Sequence, residues 1–176
     1  MRGSELYGKE VGILGFGRIG RNVAEWVQAM DARWRSYDYG SGEETLDDIF
    51  EKCDIVLISM GLNDQSRGLI NKELLLRMKD GAILINVARA EIINELDLIE
   101  WAKRGRQTYV SDVLHAEVDG DVASPLLGMA NCIIYPHIAG TTFESEEKAL
   151  RIALNLLRAE TEQDGKRHHG DIVAKA

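Results

Sequence analysis

Residues 9–38 read KEVGILGFGRIGRNVAEWVQAMDARWRSYD, and this stretch decides the fold. The apolar run over residues 11–14 predicts a short buried strand, and a glycine-rich turn separates it from an amphipathic helix that begins near Arg18. A second strand is predicted over Arg33–Tyr37, and the acidic residue Asp38 follows it. A strand, a helix and a second strand in this order predict a right-handed crossover between two parallel strands.

The turn has glycines at three positions, Gly15, Gly17 and Gly20, in the spacing G-x-G-x-x-G. Gly15 permits a tight turn, Gly17 lets a pyrophosphate approach the backbone, and Gly20 lets the helix pack closely on the strand. The N–H groups and the positive dipole end of the helix would hold the phosphates. Asp38 would accept hydrogen bonds from the adenosine ribose, and its charge would repel the additional phosphate of NADP. This unit therefore predicts an NAD site.

The glycine hexamer alone is weak evidence for a nucleotide. Glycine-rich turns also join strands to helices for structural reasons, and a methyltransferase that binds S-adenosylmethionine would carry similar glycines. The apolar strand before the turn, the amphipathic helix after it and the spaced Asp38 favour the cofactor interpretation. The first unit by itself leaves the ligand open.

Composition limits the possible functions. The chain has 176 residues, 45% of them hydrophobic and 28% charged, which suits one domain, with or without a small appendage. A net charge of −8 argues against a nucleic acid or an anionic membrane as partner. Cys53 and Cys132 lie far apart, and we interpret them as buried thiols in a reducing cytoplasm. No apolar run reaches the length of a membrane span, and the N-terminus lacks the apolar core of a signal peptide.

The rest of the chain alternates strands with helices. Such alternation predicts an α/β fold, a doubly wound, parallel, six-stranded sheet of the Rossmann type. Further strands are predicted at residues 55–58, 82–85, 109–113 and 132–135, and helices at residues 45–52, 71–78, 95–104 and 142–160, the last opened by a Thr141/Glu144 capping box. We expect a dinucleotide-binding domain over residues 1–142, a helix over 143–162 that packs on it or reaches a substrate domain, and a polar tail over 163–176. His168 and His169 are interpreted as part of that solvated tail, with no metal site.

Reactive side chains follow the later strands. Arg89 comes after the fourth strand, Asp112 and then Glu117 after the fifth, and His137 after the sixth. Ligands of open parallel sheets bind beyond the carboxyl ends of the strands. Alone, each side chain is adequately explained as a surface or core group. Together with the NAD unit they indicate a hydride-transfer site, with histidine as acid and base, a carboxylate that orients it, and an arginine that binds a substrate carboxylate.

Four segments carry a resemblance to a known family. They are GKEVGILGFGRIGRNVA, GLINKELLLRMKDGAILINVARAEIINELDLIEW, DVLHAEV and PHIAGTT, in this order along the chain. Together they closely resemble the D-isomer-specific 2-hydroxyacid dehydrogenases, from about residue 6 to residue 142. The resemblance departs from the family at residues 59–63, which replace the usual proline-leucine-threonine loop, and at Ala90, where glycine is usual.

The resemblance implies a role for each site residue. Arg89 would bind the 2-oxo acid, His137 would be the acid/base catalyst paired with Glu117, and Asp112 would contact the nicotinamide carboxamide. Small 2-hydroxy and 2-oxo acids would be the substrates, and NAD the cofactor. The remaining positions expected at the cofactor are Arg18 and Ile19 at the pyrophosphate, with Ala88 and Gly140.

Family members are nearly twice as long, and they carry a separate substrate domain. The resemblance therefore implies the NAD-binding part of a dehydrogenase, which would bind NAD(H) but turn over poorly alone because positioning supplies much of catalysis. It also implies a homodimer, and the two thiols indicate a cytoplasmic protein. The alternative is a non-catalytic, NAD-dependent interaction module like the corepressor relatives of the family.

Overall fold

The computed structural model describes residues 3–39, 44–115 and 124–173, with side chains as far as residue 158. Within them, six strands form one parallel sheet in the order β2-β1-β3-β4-β5-β6, which confirms the predicted fold class. The third and sixth strands begin where expected, and the fourth and fifth are displaced by one or two residues. The strands are β1 Glu10–Leu14, β2 Arg33–Tyr37, β3 Ile55–Ile58, β4 Ile83–Asn86, β5 Thr108–Ser111 and β6 Cys132–Ile134.

Helices follow the strands, and polar side chains cap several of them. Thr45 and Asp48 form a capping box, in which each side chain bonds the other residue's backbone N–H. The side chains of Asn71 and Asn94 accept hydrogen bonds from the third residue of their helices, as the sequence predicts. The helices are α1 Arg18–Ala29, α2 Leu46–Lys52, α3 Lys72–Arg77, α4 Glu95–Ala102 and α5 Phe143–Val173, with short 3₁₀ helices at Ala90–Ile92 and Pro125–Gly128.

The two faces of the sheet are packed by different helices. Successive strand residues point to opposite faces, so Ile13 and Leu14 enter separate clusters. The larger cluster joins β1, β3, β4 and β5 to α2, α3 and α4, with Phe50, Leu75 and Trp101 buried in it. The smaller cluster lies under α1, and its buried members are Val11, Ile13, Ala24, Val27 and Ala32. Helices therefore cover both faces, as a doubly wound sheet requires.

The chain divides into two compact units, Met1–Pro136 and His137–Ala176. The second unit contains α5, which extends to Val173 instead of ending near residue 160, because no proline interrupts the stretch after it. The capping box predicted at Thr141 and Glu144 is wrong. The exchanged hydrogen bonds join Thr142 and Ser145 instead, one residue later, because Phe143 is the first helical residue.

Among the described residues, no helix combines the length and the apolar composition that crossing a membrane would need. The same residues contain no cluster of three or more His, Cys, Asp or Glu side chains that could hold a metal ion.

Helix α1 ends in a left-handed residue that is not glycine. Asp31 has a φ of +56°, its N–H donates to the Gln28 carbonyl, and the next N–H, that of Ala32, donates to Val27. This is a Schellman ending, in which glycine is the favoured residue at the left-handed position. The aspartate therefore carries conformational strain at an exposed site.

Asp31→Gly should therefore stabilise the protein. We expect the free energy of unfolding to rise by about 0.5–1 kcal/mol, since relief of the left-handed strain exceeds the extra flexibility of glycine when unfolded. Urea unfolding followed by circular dichroism measures the change. Asp31→Ala is the control, and it should not stabilise. A glycine variant less stable than the wild type would contradict this account of the helix end.

The α2 capping box predicts a pH dependence of stability. Hydrogen bonds from Lys52, then from the Thr45 side chain and backbone, lower the pKa of Asp48 from 3.8 to about 2. A carboxyl whose pKa is lower when folded stabilises the protein above its unfolded pKa, and that contribution is lost as pH falls through the folded pKa.

Asp48→Asn should therefore lower the Tm at pH 6, and the difference from the wild type should shrink as pH falls from about 3.8 towards 2. Thermal melts over this range test it, with Glu51→Gln on the same helix as the control. A difference that does not change with pH would contradict it.

Candidate cofactor and substrate site

The predicted site residues of the first unit lie at one edge of the sheet. All strands are parallel, so their carboxyl ends share this edge. The crossover that leaves β1 runs to β2 on one side, whereas β3 pairs with β1 on the other side. Such a reversal of strand order opens a crevice at the carboxyl ends, where ligands of doubly wound sheets bind. The glycine turn follows β1 at this point.

Two of the turn glycines are required by packing. Gly15 has a φ of +92°, and a Cβ on it would lie 2.5 Å from the backbone N and Cα of Met60. A Cβ on Gly20 would lie 2.2 Å from the carbonyl oxygen of Gly15 and 3.1 Å from the Ile13 side chain. These contacts confirm that Gly20 permits close approach of α1 to β1. They also show why the turn out of β1 needs glycine.

Gly17 is free of such packing. It is exposed, its φ of −76° is one that other residues adopt, and apart from its two chain neighbours no described residue has an atom within 4 Å of a Cβ built on it. Gly17 is also the N-cap of α1, so the helix begins without a side-chain cap. Arg18 and Ile19 follow it and are exposed as well. The open surface over Gly17, with the helix N–H groups beneath it, fits a bound pyrophosphate.

Asp38 holds the turn as well as marking the end of β2. One carboxylate oxygen accepts a hydrogen bond from the Phe16 N–H at 3.1 Å, and the other accepts from the Tyr39 N–H at 2.9 Å. The side chain is half-buried. A carboxylate has about four acceptor positions, so these two bonds leave capacity for ribose hydroxyls. Phe16 in turn stacks on Trp34, with ring centroids 5.1 Å apart.

The loop after β3 is built from its own hydrogen bonds. The Ser66 hydroxyl is fully buried, accepts from the Asn63 N–H at 2.7 Å and donates to the Gly61 carbonyl at 2.8 Å. The Asn63 carboxamide oxygen accepts from two backbone N–H groups. At the start of this segment the Ser59 hydroxyl donates to the Gly15 carbonyl, 2.9 Å away. The departure at residues 59–63 therefore keeps an ordered loop that supports the glycine turn.

None of the sequence motifs assigns a role to Ser59 or Ser66. Their only signal was position, because both are small polar residues just beyond a buried strand. The contact of Ser59 spans 44 residues of sequence, so no local pattern marks it.

Arg89 extends from a turn that its own neighbours stabilise. It is exposed, and its Nη1 donates to the Ala88 carbonyl at 2.7 Å. The Asn86 side chain closes the turn, since its Oδ1 accepts from the Ala88 N–H and its Nδ2 donates to the Arg89 carbonyl, both at 3.0 Å. The guanidinium is therefore anchored to the loop and exposed to solvent at the edge formed by the carboxyl ends of the strands.

Asp112 follows β5 on the adjacent loop. The residue is buried, and its N–H donates to the Asn86 carbonyl at 3.1 Å. A backbone hydrogen bond therefore joins the end of β4, just before the Arg89 turn, to the start of the Asp112 loop.

The last three predicted residues lie elsewhere. Glu117 falls outside the described residues. His137 and Gly140 belong to the second unit, where the Gly140 carbonyl accepts a hydrogen bond from the Ser145 hydroxyl. His137 has a φ of +56°, a strained conformation of the kind that concentrates at functional sites. The approach of His137 to Arg89 stays a prediction.

Fold and site together define an α/β dinucleotide-binding domain. The open Gly17 surface, the uncapped start of α1 and the carboxylate of Asp38 fit the pyrophosphate and ribose of NAD. Residues 1–139 match the family described as D-isomer specific 2-hydroxyacid dehydrogenase, NAD binding domain. The chain belongs to this family, and its cofactor is NAD.

Named relatives agree with this assignment. Hydroxypyruvate reductase of Blautia hydrogenotrophica is 35% identical over 164 residues, covering 87% of this chain and 50% of that protein. D-3-phosphoglycerate dehydrogenase of Mycobacterium tuberculosis is 32% identical over 158 residues, covering 84% of this chain and 30% of that protein. A crystal structure of D-lactate dehydrogenase from Aquifex aeolicus, complexed with NAD and lactic acid, aligns with a TM-score of 0.82 at 26% identity, covering 93% of this chain and 56% of that one. This chain thus spans about half the length of these relatives, or less.

Proposed function

We propose that this chain is the NAD-binding part of an oxidoreductase that interconverts a D-2-hydroxy acid and its 2-oxo acid. One observation carries the proposal: the open backbone surface at Gly17 and the exposed guanidinium of Arg89 occur at the same edge of one sheet. A dinucleotide and a small carboxylate can therefore bind side by side. Two of the relatives are named for acids of this class, as hydroxypyruvate reductase and D-lactate dehydrogenase.

Each proposed residue has a chemical task. Bound NAD supplies the hydride acceptor, at C4 of its nicotinamide. Arg89 binds the substrate carboxylate, because the bond to Ala88 uses one of the five N–H donors of a guanidinium and the fork matches a carboxylate. His137 takes the proton of the substrate hydroxyl in oxidation and returns it in reduction, and Glu117 orients its ring. Asp112 binds the nicotinamide carboxamide.

The isolated chain is proposed to bind NADH but to turn over slowly. The relatives are about twice as long or longer, and placement of the reactants supplies a large part of the rate enhancement of an enzyme. We also propose that the protein is cytoplasmic and forms a homodimer. Sedimentation velocity of the purified chain tests the dimer.

The decisive experiment supplies the half of the relatives that this chain does not span. The corresponding region of Blautia hydrogenotrophica hydroxypyruvate reductase is replaced with this chain, and NADH oxidation is followed with hydroxypyruvate, pyruvate and glyoxylate. We expect turnover with at least one acid, and about a thousandfold loss of kcat in His137→Ala, as for removal of a general acid–base. Arg106→Ala, which removes an exposed cation at the opposite edge of the sheet, is the control.

The alternative is a non-catalytic, NAD-dependent interaction module. A chimera that folds and binds NADH but reduces none of the acids would favour it. Activity that survives in His137→Ala would instead contradict the assigned acid–base role.

A further inference from the structure

The loop after β5 is attached at two points to the segment that follows β4. At its start, the Asp112 N–H donates to the Asn86 carbonyl at 3.1 Å. Three residues later, Nε2 of His115 lies 3.1 Å from the carbonyl oxygen of Ile93. The stretch from Asp112 to His115 is therefore fastened at both ends to the same neighbouring part of the chain.

The imidazole of His115 is the donor in the second of these bonds. A carbonyl oxygen can only accept a hydrogen bond, so Nε2 carries a proton whether the ring is neutral or charged. In the neutral ring this leaves Nδ1 as an acceptor. His115 is half-buried and Ile93 is 1% exposed, so loss of the donor would take a hydrogen bond from the carbonyl of a buried residue.

The acceptor is held in place by its own segment. The Ile93 N–H donates to the Ala90 carbonyl at 3.0 Å, and the next N–H, that of Asn94, donates to the Ile70 carbonyl at 2.9 Å. Ile93 also forms a parallel bridge with Ile70, and both side chains are buried. The Ile93 carbonyl is thus connected to the Arg89 turn through the 3₁₀ helix and to the core through Ile70, which makes it a firm attachment point for the loop after β5.

Between its two attachments the loop is shaped by local contacts. The Ser111 hydroxyl lies 2.8 Å from the Val113 carbonyl and accepts from the Val113 N–H at 3.2 Å. Val113 is buried, and Leu114 packs against the larger core cluster. These contacts close the loop on itself and on the core, whereas the His115 bond, between residues 22 apart in sequence, ties it to the segment that follows Arg89.

We propose that His115 is a positioning residue for Asp112: its Nε2–H, bonded to the Ile93 carbonyl, holds the loop where the Asp112 side chain can bind the nicotinamide carboxamide. Because Asp112 is only 7% exposed, a small shift of the loop changes the access to its carboxylate. This inference rests on the proposed role of Asp112 in cofactor binding. It gives a task to the histidine of DVLHAEV, to which the family resemblance assigns none.

The ligand-free arm of the test compares His115→Asn with His115→Gln. The amide nitrogen of glutamine reaches about as far as Nε2 of histidine and can still donate to Ile93, whereas that of asparagine reaches only as far as Nδ1. We expect amide hydrogen exchange at Val113, read by NMR, to accelerate about tenfold in His115→Asn relative to the mean of the β5 amides, and to stay within about twofold in His115→Gln. Equal exchange at Val113 in the two variants overturns the proposal.

The imidazole itself gives a second ligand-free measurement. In the wild-type chain, long-range ¹H–¹⁵N correlation of the neutral His115 ring should show the tautomer with the proton on Nε2. A ring with its proton on Nδ1 could not donate to Ile93, and that result also overturns the proposal.

The ligand arm measures the dissociation constants of NADH and of ADP-ribose on the full chain by isothermal titration calorimetry. ADP-ribose has the adenosine, the pyrophosphate and the second ribose of the cofactor but lacks the nicotinamide. We expect His115→Asn to weaken NADH about tenfold and ADP-ribose by less than about twofold, with His115→Gln close to the wild type for both. A merely structural role would lower the Tm and weaken both ligands or neither, which overturns the proposal.

A coupling test separates placement of Asp112 from other effects of the loop. In an Asp112→Ala background, His115→Asn should change NADH affinity by less than about twofold, because the group that it positions is gone. An undiminished effect there overturns the proposal, and the ADP-ribose comparison decides the matter if Asp112→Ala does not fold. If the wild-type chain binds NADH no more tightly than ADP-ribose, the proposed role of Asp112 fails, and the Val113 exchange experiment still decides whether His115 holds the loop.

Discussion

Gly15→Ala is expected to lower the free energy of unfolding by at least about 3 kcal/mol, the largest stability effect of any single-methyl addition that we propose. Two costs combine at this position. The φ of +92° lies in a region that residues with a Cβ rarely adopt, and the new Cβ would meet backbone atoms of Met60 at 2.5 Å. Backbone atoms of a neighbouring strand end cannot rotate away as a side chain can.

Urea unfolding of Gly15→Ala, followed by far-UV circular dichroism, measures this loss. Gly128→Ala is the matched control, because a Cβ there meets no atom within 4 Å from described residues beyond its local backbone, and its φ is not left-handed. The control should stay within about 1 kcal/mol of the wild type. Equal stability of Gly15→Ala and the wild type would mean that the turn does not pass this close to the end of β3.

Gly17→Ala is expected to do the opposite: to spare the fold and to lose the cofactor. We expect the Tm to stay within a few degrees of the wild type and the dissociation constant of NADH to rise about hundredfold, or roughly 2.7 kcal/mol. The backbone already has a φ of −76°, so alanine adds no strain. The methyl group would instead occupy the open surface where the pyrophosphate must approach the N–H groups of α1.

The titration can use the protein's own fluorescence. Trp34 of β2 stacks on Phe16, a residue of the glycine turn. Energy transfer from this tryptophan to bound NADH therefore reports occupancy of the proposed cofactor site. A separate titration that follows NADH emission directly gives the same constant without relying on one tryptophan. Wild-type affinity in Gly17→Ala would place the phosphates elsewhere, and the proposed function would lose its main support.

The opposite results expected for Gly15→Ala and Gly17→Ala distinguish two uses of glycine in one motif. At Gly15 and Gly20 the missing Cβ serves the protein's own packing, whereas at Gly17 it leaves open space, in which we propose that the pyrophosphate binds. The sequence motif marks all three positions alike. Only the surrounding atoms separate a structural glycine from a functional one.

Much of the fold could be predicted because it depends on neighbours in sequence. The apolar runs of β1 and β3, the glycine turn and the capping side chains of Thr45, Asn71 and Asn94 act over one to five residues, and the structure confirms them. The predicted end of α5 near residue 160 was wrong because no local signal marks the end of this helix. A helix without proline ends where the balance of many weak preferences fails, and no single residue marks that point.

The order of strands and helices, the glycine turn after β1 and the family follow from the sequence without coordinates, because these depend on local backbone preferences and on motifs of contiguous residues. Only the folded chain shows that Asp38 accepts from the Phe16 N–H, that Ser59 supports Gly15, and that the Ser111 hydroxyl bonds the Asn86 carbonyl. These pairs are separated by 22 to 44 residues along the chain, and they meet only because parallel strands bring their carboxyl ends to one edge of the sheet.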